Sequence, residues 1–142
     1  MPGTLGLDLG EKRTGIAFAD GETAVATPLM TFHGQAGQSF VRELKKLVEE
    51  YRIARIVVGL PLDLQGRVGP AAQKITEKVE WLKSQIPAEW VFWDERLTTA
   101  EVEWTLIEHE VRRDKRKNLR DQLAAQKILQ SYLDHERTKR GK

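Results

Sequence analysis

Cysteine is absent from the 142 residues of this chain, and histidine is scarce, with three copies. The absence of cysteine excludes disulfides, thiolate zinc sites and cysteine nucleophiles. The histidines, His33, His109 and His135, have no spacing typical of metal ligands. Any metal is therefore expected on oxygen ligands, and carboxylate sites for hard cations such as Mg²⁺ or Mn²⁺ become the natural candidate.

Long apolar runs are also missing from the sequence. No run approaches the roughly 20 residues that span a bilayer, and the N-terminus has neither the basic start nor the apolar stretch of a signal peptide. We therefore expect a cytoplasmic protein. With 40% hydrophobic and 31% charged residues, residues 1–142 have the size and composition of one globular domain.

Hydrophobic periodicity divides most of the chain into strands and helices. Thr4 to Leu9 places leucines on one face and Gly6 and Asp8 on the other, which predicts a strand. Two further apolar runs follow, and then helices alternate with strands. The predicted elements after the first strand are strands over Thr14 to Ala19 and Ala24 to Phe32, a helix from about Phe40 to Tyr51, a strand over Arg55 to Leu60, a helix through Ile75 to Ile86 and a strand over Trp90 to Trp93.

Two more helices are predicted at the C-terminal end. Thr98 with Glu101 three residues later forms a capping box that opens one helix, and the last helix covers about Leu119 to Asp134. Right-handed crossovers place the fourth strand beside the first and the fifth outside it. The predicted fold class is α/β, with a mixed five-stranded sheet and helices on both faces. This is the element order of the ribonuclease H-like fold.

Asp8 and Asp121 are the first two candidate catalytic and metal-binding residues. Asp8 lies mid-strand with only glycines as its same-face neighbours, although a strand-end aspartate serving the following turn is an alternative. Asp121 shares one helical face with apolar residues, so it points toward the sheet, where a buried carboxylate needs a cation, hydrogen-bond donors or a proton. Its alternatives are a first-turn aspartate that interacts with the helix dipole and a simple ion pair with Arg96.

The third acidic contribution follows the apolar strand Trp90 to Trp93. Acidic residues at the carboxyl end of a buried strand fit the edge where open α/β sheets bind ligands. Because this strand is two places from the first, about twice the 4.8 Å strand spacing, the longer Glu95 is favoured over Asp94. Asp63 follows the strand next to the first and is a rival fourth ligand.

Basic residues cluster immediately before Asp121, in a stretch we call the basic segment. The residues of this segment are Arg112, Arg113, Lys115, Arg116, Lys117 and Arg120. A solvated loop is the simpler interpretation, whereas a phosphate-binding arm at the mouth of the acidic site is the functional one. The four tryptophans could stack on bases, but three occupy apolar positions of predicted elements, which favours core packing.

The sequence around these acidic residues resembles the YqgF/RuvX family over nearly the whole chain. The matching segments are Leu7 to Ala17, Val57 to Leu62, Trp93 to Thr99, Asp121 to Ala125 and Ile128 to Leu133. The resemblance implies a ribonuclease H-like nuclease whose acidic site corresponds to Asp8, the Asp94-Glu95 pair and Asp121. It also implies phosphate contacts by Lys12 and Arg13. Arg96 is a further candidate for nucleic-acid contact. Asp63 stands where the family usually has asparagine or a similar polar residue.

The family is described both as Holliday junction resolvases and as nucleases that mature the 5′ end of pre-16S ribosomal RNA. We favour RNA over DNA as the bound nucleic acid, because the predicted helices leave no surplus apolar stripe for the stable dimer of a resolvase. A monomer is therefore expected, with a dimer still open. A non-catalytic RNA-binding factor for ribosome assembly is an alternative of another class. An actin-like ATPase, suggested by Asp8 to Gly15, would need a second domain.

Overall fold

The computed structural model of the chain describes residues 2–97 and 113–140, except for the side chains of residues 97, 113–118 and 138–140. Five strands, three helices and a short 3-10 turn make up this part of the chain. They are β1 (Gly3–Leu9), β2 (Arg13–Ala19), β3 (Thr27–His33), α1 (Gln38–Glu50), β4 (Ile53–Leu60), α2 (Pro70–Gln85), β5 (Glu89–Asp94), the 3-10 turn Glu95–Leu97 and α3 (Arg113–Arg140). The helix predicted from Thr98 lies outside the described residues.

The strands form one sheet in the order β3-β2-β1-β4-β5. The meander β1 to β3 is antiparallel, whereas β4 runs parallel to both β1 and β5. The predicted mixed five-stranded sheet is therefore confirmed, with β4 beside β1 and β5 outside it. Parallel pairing brings the carboxyl ends of β1, β4 and β5 to one edge of the sheet. No helix of the described residues is long and apolar enough to cross a membrane.

Two hydrophobic cores cover the two faces of the sheet. On one face, α1 and α2 pack against the leucines of β1 and the β-branched residues of β4, with Phe40, Leu44, Val79 and Leu82 fully buried or nearly so. On the other face, α3 packs through Ala125, Ile128, Leu129 and Tyr132. The alternation of β1 decides which side chain meets which core. Leu5 and Leu7 therefore face α1 and α2, and Asp8 faces α3.

The last helix is longer than its predicted span of Leu119 to Asp134, and it already begins at Arg113. The residues of this helix include neither glycine nor proline, and lysine, arginine, glutamine and leucine are good helix formers. Treating the basic segment as a loop was therefore wrong for the backbone of residues 113–120. Asp121 lies more than two turns inside the helix, so the first-turn interpretation of this residue was also wrong.

The helix α3 approaches β2 unusually closely at Gly15. A Cβ atom at this position would overlap the backbone carbonyl of Asp121. Only a residue without a side chain lets the helix backbone rest on the strand, and this contact positions Asp121 over the sheet.

We expect Gly15→Ser to lower the free energy of unfolding by about 1–3 kcal/mol, because overpacking forces the helix away from the strand. Gly37→Ser is the matched control. Gly37 is the N-cap of α1 and has nothing within 4 Å of an added Cβ, so serine there should be neutral or slightly stabilising. Urea unfolding of both variants measures the difference. Equal stability of the two variants would contradict the packing argument.

Candidate active site

Asp8 lies between two glycines of the neighbouring strands. It pairs with Gly15 of β2, and the register of Leu7 with Val58 places Gly59 of β4 on its other side. Both neighbours of Asp8 in the sheet therefore lack a side chain. The carboxylate of Asp8 sits in an opening that residues from other elements can enter.

Glu95 enters this opening from the turn that follows β5. A Cβ atom on Gly59 would lie 2.9 Å from Glu95 Oε2 and 3.0 Å from its Cγ. The Glu95 side chain therefore reaches back over β4 toward Asp8, as expected for the longer member of the acidic pair.

Asp121, on α3, approaches the opening from the side of β2, whereas Glu95 approaches it from the side of β4. Its Oδ2 accepts a hydrogen bond from Arg13 Nε at 2.6 Å, and its own side chain is 19% exposed. The alternative interpretation of Asp121, an ion pair with Arg96, is therefore wrong, since Asp121 is paired with Arg13 and Arg96 with Asp94. Arg13, for which the resemblance implies a phosphate contact, forms this ion pair inside the site.

Burial and neighbouring negative charge raise the pKa values of two of these carboxylates, Asp8 and Glu95. Burial raises the pKa of Asp8 to about 6, and the charge of Asp121 adds to the effect. Burial likewise raises the pKa of Glu95 to about 7, with further contributions from the charges of Asp8 and Asp94. Such shifts mark a concentration of negative charge that a bound cation would relieve.

Asp94, the other member of the acidic pair, forms an ion pair with Arg96. Its carboxylate accepts hydrogen bonds from Arg96 Nη2 at 2.7 Å and from Arg96 Nε at 3.1 Å, and these bonds hold the pKa of Asp94 below its usual range. Arg96 also donates to the carbonyl of Leu64 at 3.3 Å. The Asp94–Arg96 pair thus ties the end of β5 to the loop that follows β4.

Asp63 is likewise bound within its own loop. Its Oδ1 accepts from the backbone N–H groups of Gln65 and Arg67 at 2.9 and 2.8 Å, and Arg67 Nε donates to Oδ2 at 3.0 Å. The backbone N–H of Arg67 is the largest influence that lowers the pKa of Asp63. These contacts show that Asp63 stabilises its own loop. The sequence suggested Asp63 only as an alternative fourth metal ligand.

The remaining candidates for nucleic-acid contact lie around the site or outside the described side chains. Lys12 is exposed in the turn between β1 and β2, and Arg120 is exposed one residue before Asp121. Arg112 lies outside the described residues. The side chains of Arg113, Lys115, Arg116 and Lys117 are likewise not described.

A cleft of about 860 Å³ opens beside Asp8 and Glu95 and continues along α2. Lys74, Lys78 and Trp81 of α2 are among its lining residues. Sequence reasoning missed this surface. The signal was the spacing of the three residues, which puts two lysines and a tryptophan on one side of the helix.

The donor set at this edge of the sheet suits a hard divalent cation. No group of three or more acidic or histidine side chains among the described residues is already arranged to hold a metal ion, and Asp121 is bound to Arg13. Asp8, however, forms no ion pair with any arginine or lysine of the described residues. Its carboxylate and that of Glu95 are oxygen ligands of the kind that Mg²⁺ and Mn²⁺ prefer.

The fold and this acidic site define a nuclease of the ribonuclease H-like class. RuvC of T. thermophilus in complex with a Holliday junction substrate superimposes with a TM-score of 0.59 at 15% identity, over 96% of both chains. The Holliday junction resolvase of fowlpox virus gives a TM-score of 0.51 at 11% identity, over 94% of this chain and 99% of that one. These likenesses show the fold.

The chain belongs to the RuvX family of nucleases, whose family model, described as Holliday junction resolvase, matches residues 3–135. A relative from Thermoanaerobacter pseudethanolicus is 40% identical over 136 residues, covering 95% of this chain and 98% of the relative. One from Listeria monocytogenes serotype 4b is 44% identical over 132 residues, covering 92% and 96%. Both carry the name "Putative pre-16S rRNA nuclease".

The raised pKa of Asp8 makes a prediction about stability. Its folded pKa of about 6 lies above the ordinary value of 3.8, so the folded state binds the proton more tightly than the unfolded chain does. In the absence of metal, the raised pKa of Asp8 does not lower the free energy of unfolding near pH 3, and it lowers it by the full amount above about pH 7. We expect Asp8→Asn to raise the free energy of unfolding by about 1–3 kcal/mol at pH 8 and by little at pH 4.

Asp20→Asn is the control for this prediction. Asp20 is an exposed carboxylate whose pKa is lowered by the backbone N–H groups of Thr23 and Glu22, so its replacement should not stabilise the protein at pH 8. Denaturant unfolding at pH 4 and pH 8, with a chelator present, gives the comparison. A stabilisation by Asp8→Asn that is the same at both pH values would show that charge is not its cause.

Proposed function

We propose that this chain is a metal-dependent nuclease that hydrolyses phosphodiester bonds in the 5′-end processing of pre-16S ribosomal RNA, in the cytoplasm. The observation that carries the proposal is the convergence of Asp8, Glu95 and Asp121 beside two glycines at the carboxyl edge of the sheet. The names of the relatives support the choice of substrate.

Asp8, Glu95 and Asp121 would hold Mg²⁺ or Mn²⁺. Ions of this kind activate water as a nucleophile and stabilise the leaving oxygen of a phosphodiester. The residues of the chain supply the geometry: β1 fixes Asp8, and Arg13 Nε holds the Asp121 carboxylate in position. Exchange of Arg13 for the ion would complete the ligand set.

Positive charge around this edge would bind the phosphates that flank the cut. Lys12 lies in the turn directly after β1, and the basic segment from Arg112 to Arg120 leads into Asp121. Arg113 to Arg120 belong to the first turns of α3. Phosphate contacts of this kind position a nucleic acid without reading its sequence.

We expect Asp8→Asn, Glu95→Gln and Asp121→Asn each to lower cleavage by about 10²-fold or more, because electrostatic stabilisation of the reacting phosphate is lost. Asp20→Asn, at the opposite edge of the sheet, should keep the activity. Mn²⁺ should also stabilise the parent protein against heat, and this stabilisation should disappear in Asp8→Asn. Unchanged metal-dependent turnover in Asp8→Asn would overturn the metal site. Absence of cleavage by the parent on any nucleic acid would favour a non-catalytic RNA-binding assembly factor.

Holliday junction resolution is the second candidate, favoured by the description of the family model. A resolvase makes two symmetric cuts, which calls for a stable dimer with an isologous interface. The exposed large hydrophobic residues of the described chain are Val25, Leu64 and Val68. Val25 follows the far end of β2, whereas the other two lie in the loop between β4 and α2. This is little apolar surface for an obligate dimer.

We therefore expect a monomer that cuts single-stranded RNA spanning a precursor 5′ end. The experiment compares cleavage of this RNA with cleavage of a four-way DNA junction and measures the mass in solution. A stable dimer that nicks junctions in matched pairs and leaves the RNA intact would replace the RNA proposal by the resolvase. The metal site would stand in either case.

A further inference from the structure

One side of α2 lines the same cleft as Asp8 and Glu95. Lys74, Lys78 and Trp81 follow one another at intervals of four and three residues and share one side of the helix. At 1.5 Å per residue, this row extends roughly 10 Å along the helix. The cleft therefore continues well beyond the carboxylates, with a volume of about 860 Å³.

Trp81 is an anchored aromatic ring at the border of the cleft. It is partly buried and packs against the core beneath α1 and α2, while Lys78 Nζ lies 5.7 Å from its ring centroid. The other tryptophans with described side chains are used inside the fold: Trp90 Nε1 donates to the Ile86 carbonyl and Trp93 Nε1 to Ser131 Oγ. Trp81 is thus the described tryptophan that meets the cleft.

Side chains of both signs line the cleft. Asp8, Glu11, Glu77 and Glu95 are acidic, whereas Lys74 and Lys78 are basic and lie along α2 with Trp81. Lys74 Nζ lies 3.4 Å from Glu11 Oε2, but both side chains are mostly exposed, at 73% and 81%, so this pair is weak and exchangeable. Glu77 also lines the cleft, and its Oε2 accepts a hydrogen bond from Gln73 Nε2 at 3.0 Å.

We propose that this side of α2 is a subsite for single-stranded RNA next to the bond that is cut, with a base stacked on Trp81 and phosphates bound by Lys74 and Lys78. The inference rests on the proposed nuclease function and adds the path of the substrate. An aromatic ring combined with flexible cations is the usual surface for unpaired nucleotides. Continuity with the carboxylates selects the occupant, because a strand bound at Asp8 and Glu95 can continue along the same cleft.

The first test measures binding of a labelled single-stranded RNA to the Asp8→Asn protein, which binds without cutting. Adding Trp81→Ala should weaken binding about 5- to 150-fold, whereas Trp81→Phe, which keeps an aromatic ring, should stay within a few-fold. Lys74→Ala and Lys78→Ala should each flatten the dependence of log Kd on log salt by about 0.7. Lys45→Ala and Lys46→Ala, exposed on α1, are the matched controls and should leave this slope unchanged.

A second measurement does not depend on whether Trp81→Ala folds. RNA that carries one photoreactive base beside the scissile bond is cross-linked to the Asp8→Asn protein, and the modified peptide is identified by mass spectrometry. We expect the α2 peptide that contains Trp81. Cross-links confined to other elements, or full affinity in a folded Trp81→Ala protein, would overturn the subsite and leave the nuclease proposal standing. If the Asp8→Asn protein binds a DNA junction but no single-stranded RNA, the proposed substrate fails and the subsite fails with it.

Discussion

Room for three carboxylates on one face of the sheet depends on how closely α3 and the turn after β5 approach the strands beside Asp8. Side chains at Gly15 and Gly59 would occupy the space now taken by the Asp121 carbonyl and by Glu95. Glycine is required at these two positions by the limited space and not by the backbone conformation, since neither position has the positive φ found at Gly34 and Gly66. The site can therefore form because the central strands carry no side chains at Gly15 and Gly59.

Gathering carboxylates in this opening has an electrostatic cost, which the structure relieves only in part. Arg13 neutralises Asp121, while the pKa values of Asp8 and Glu95 are both raised, mainly by burial. The two hydrophobic cores on either face of the sheet must stabilise the fold against this repulsion. Such repulsion is expected at a site that binds the proposed cation, because a site already neutralised by arginines would gain little from binding one.

The sheet order could be predicted from sequence because right-handed crossovers leave few alternatives for two parallel strands beside a meander. Periodicity likewise placed Asp8 on the face of β1 opposite the leucines and Asp121 on the apolar face of the last helix. The pairing of Asp121 with Arg13 could not be predicted, since the two are 108 residues apart and no local pattern relates them. The start of α3 was misjudged because charge density was read as irregular structure. The bonds of Asp63 to Arg67 and of Asp94 to Arg96 span four and two residues, so local spacing could have revealed both.

Carboxylates that act on a phosphodiester are indifferent to the rest of the nucleic acid, so selectivity must come from the surfaces around them. The α2 side of the cleft and the basic start of α3 lie on opposite faces of the sheet, and both approach the edge that holds Asp8. A single strand that crosses this edge can meet both surfaces with one active centre. A four-way junction has duplex arms and needs a second, symmetry-related centre, for which the described surface offers little apolar area. An unpaired strand, the substrate proposed above, can therefore be accommodated along this edge by a single copy of the chain.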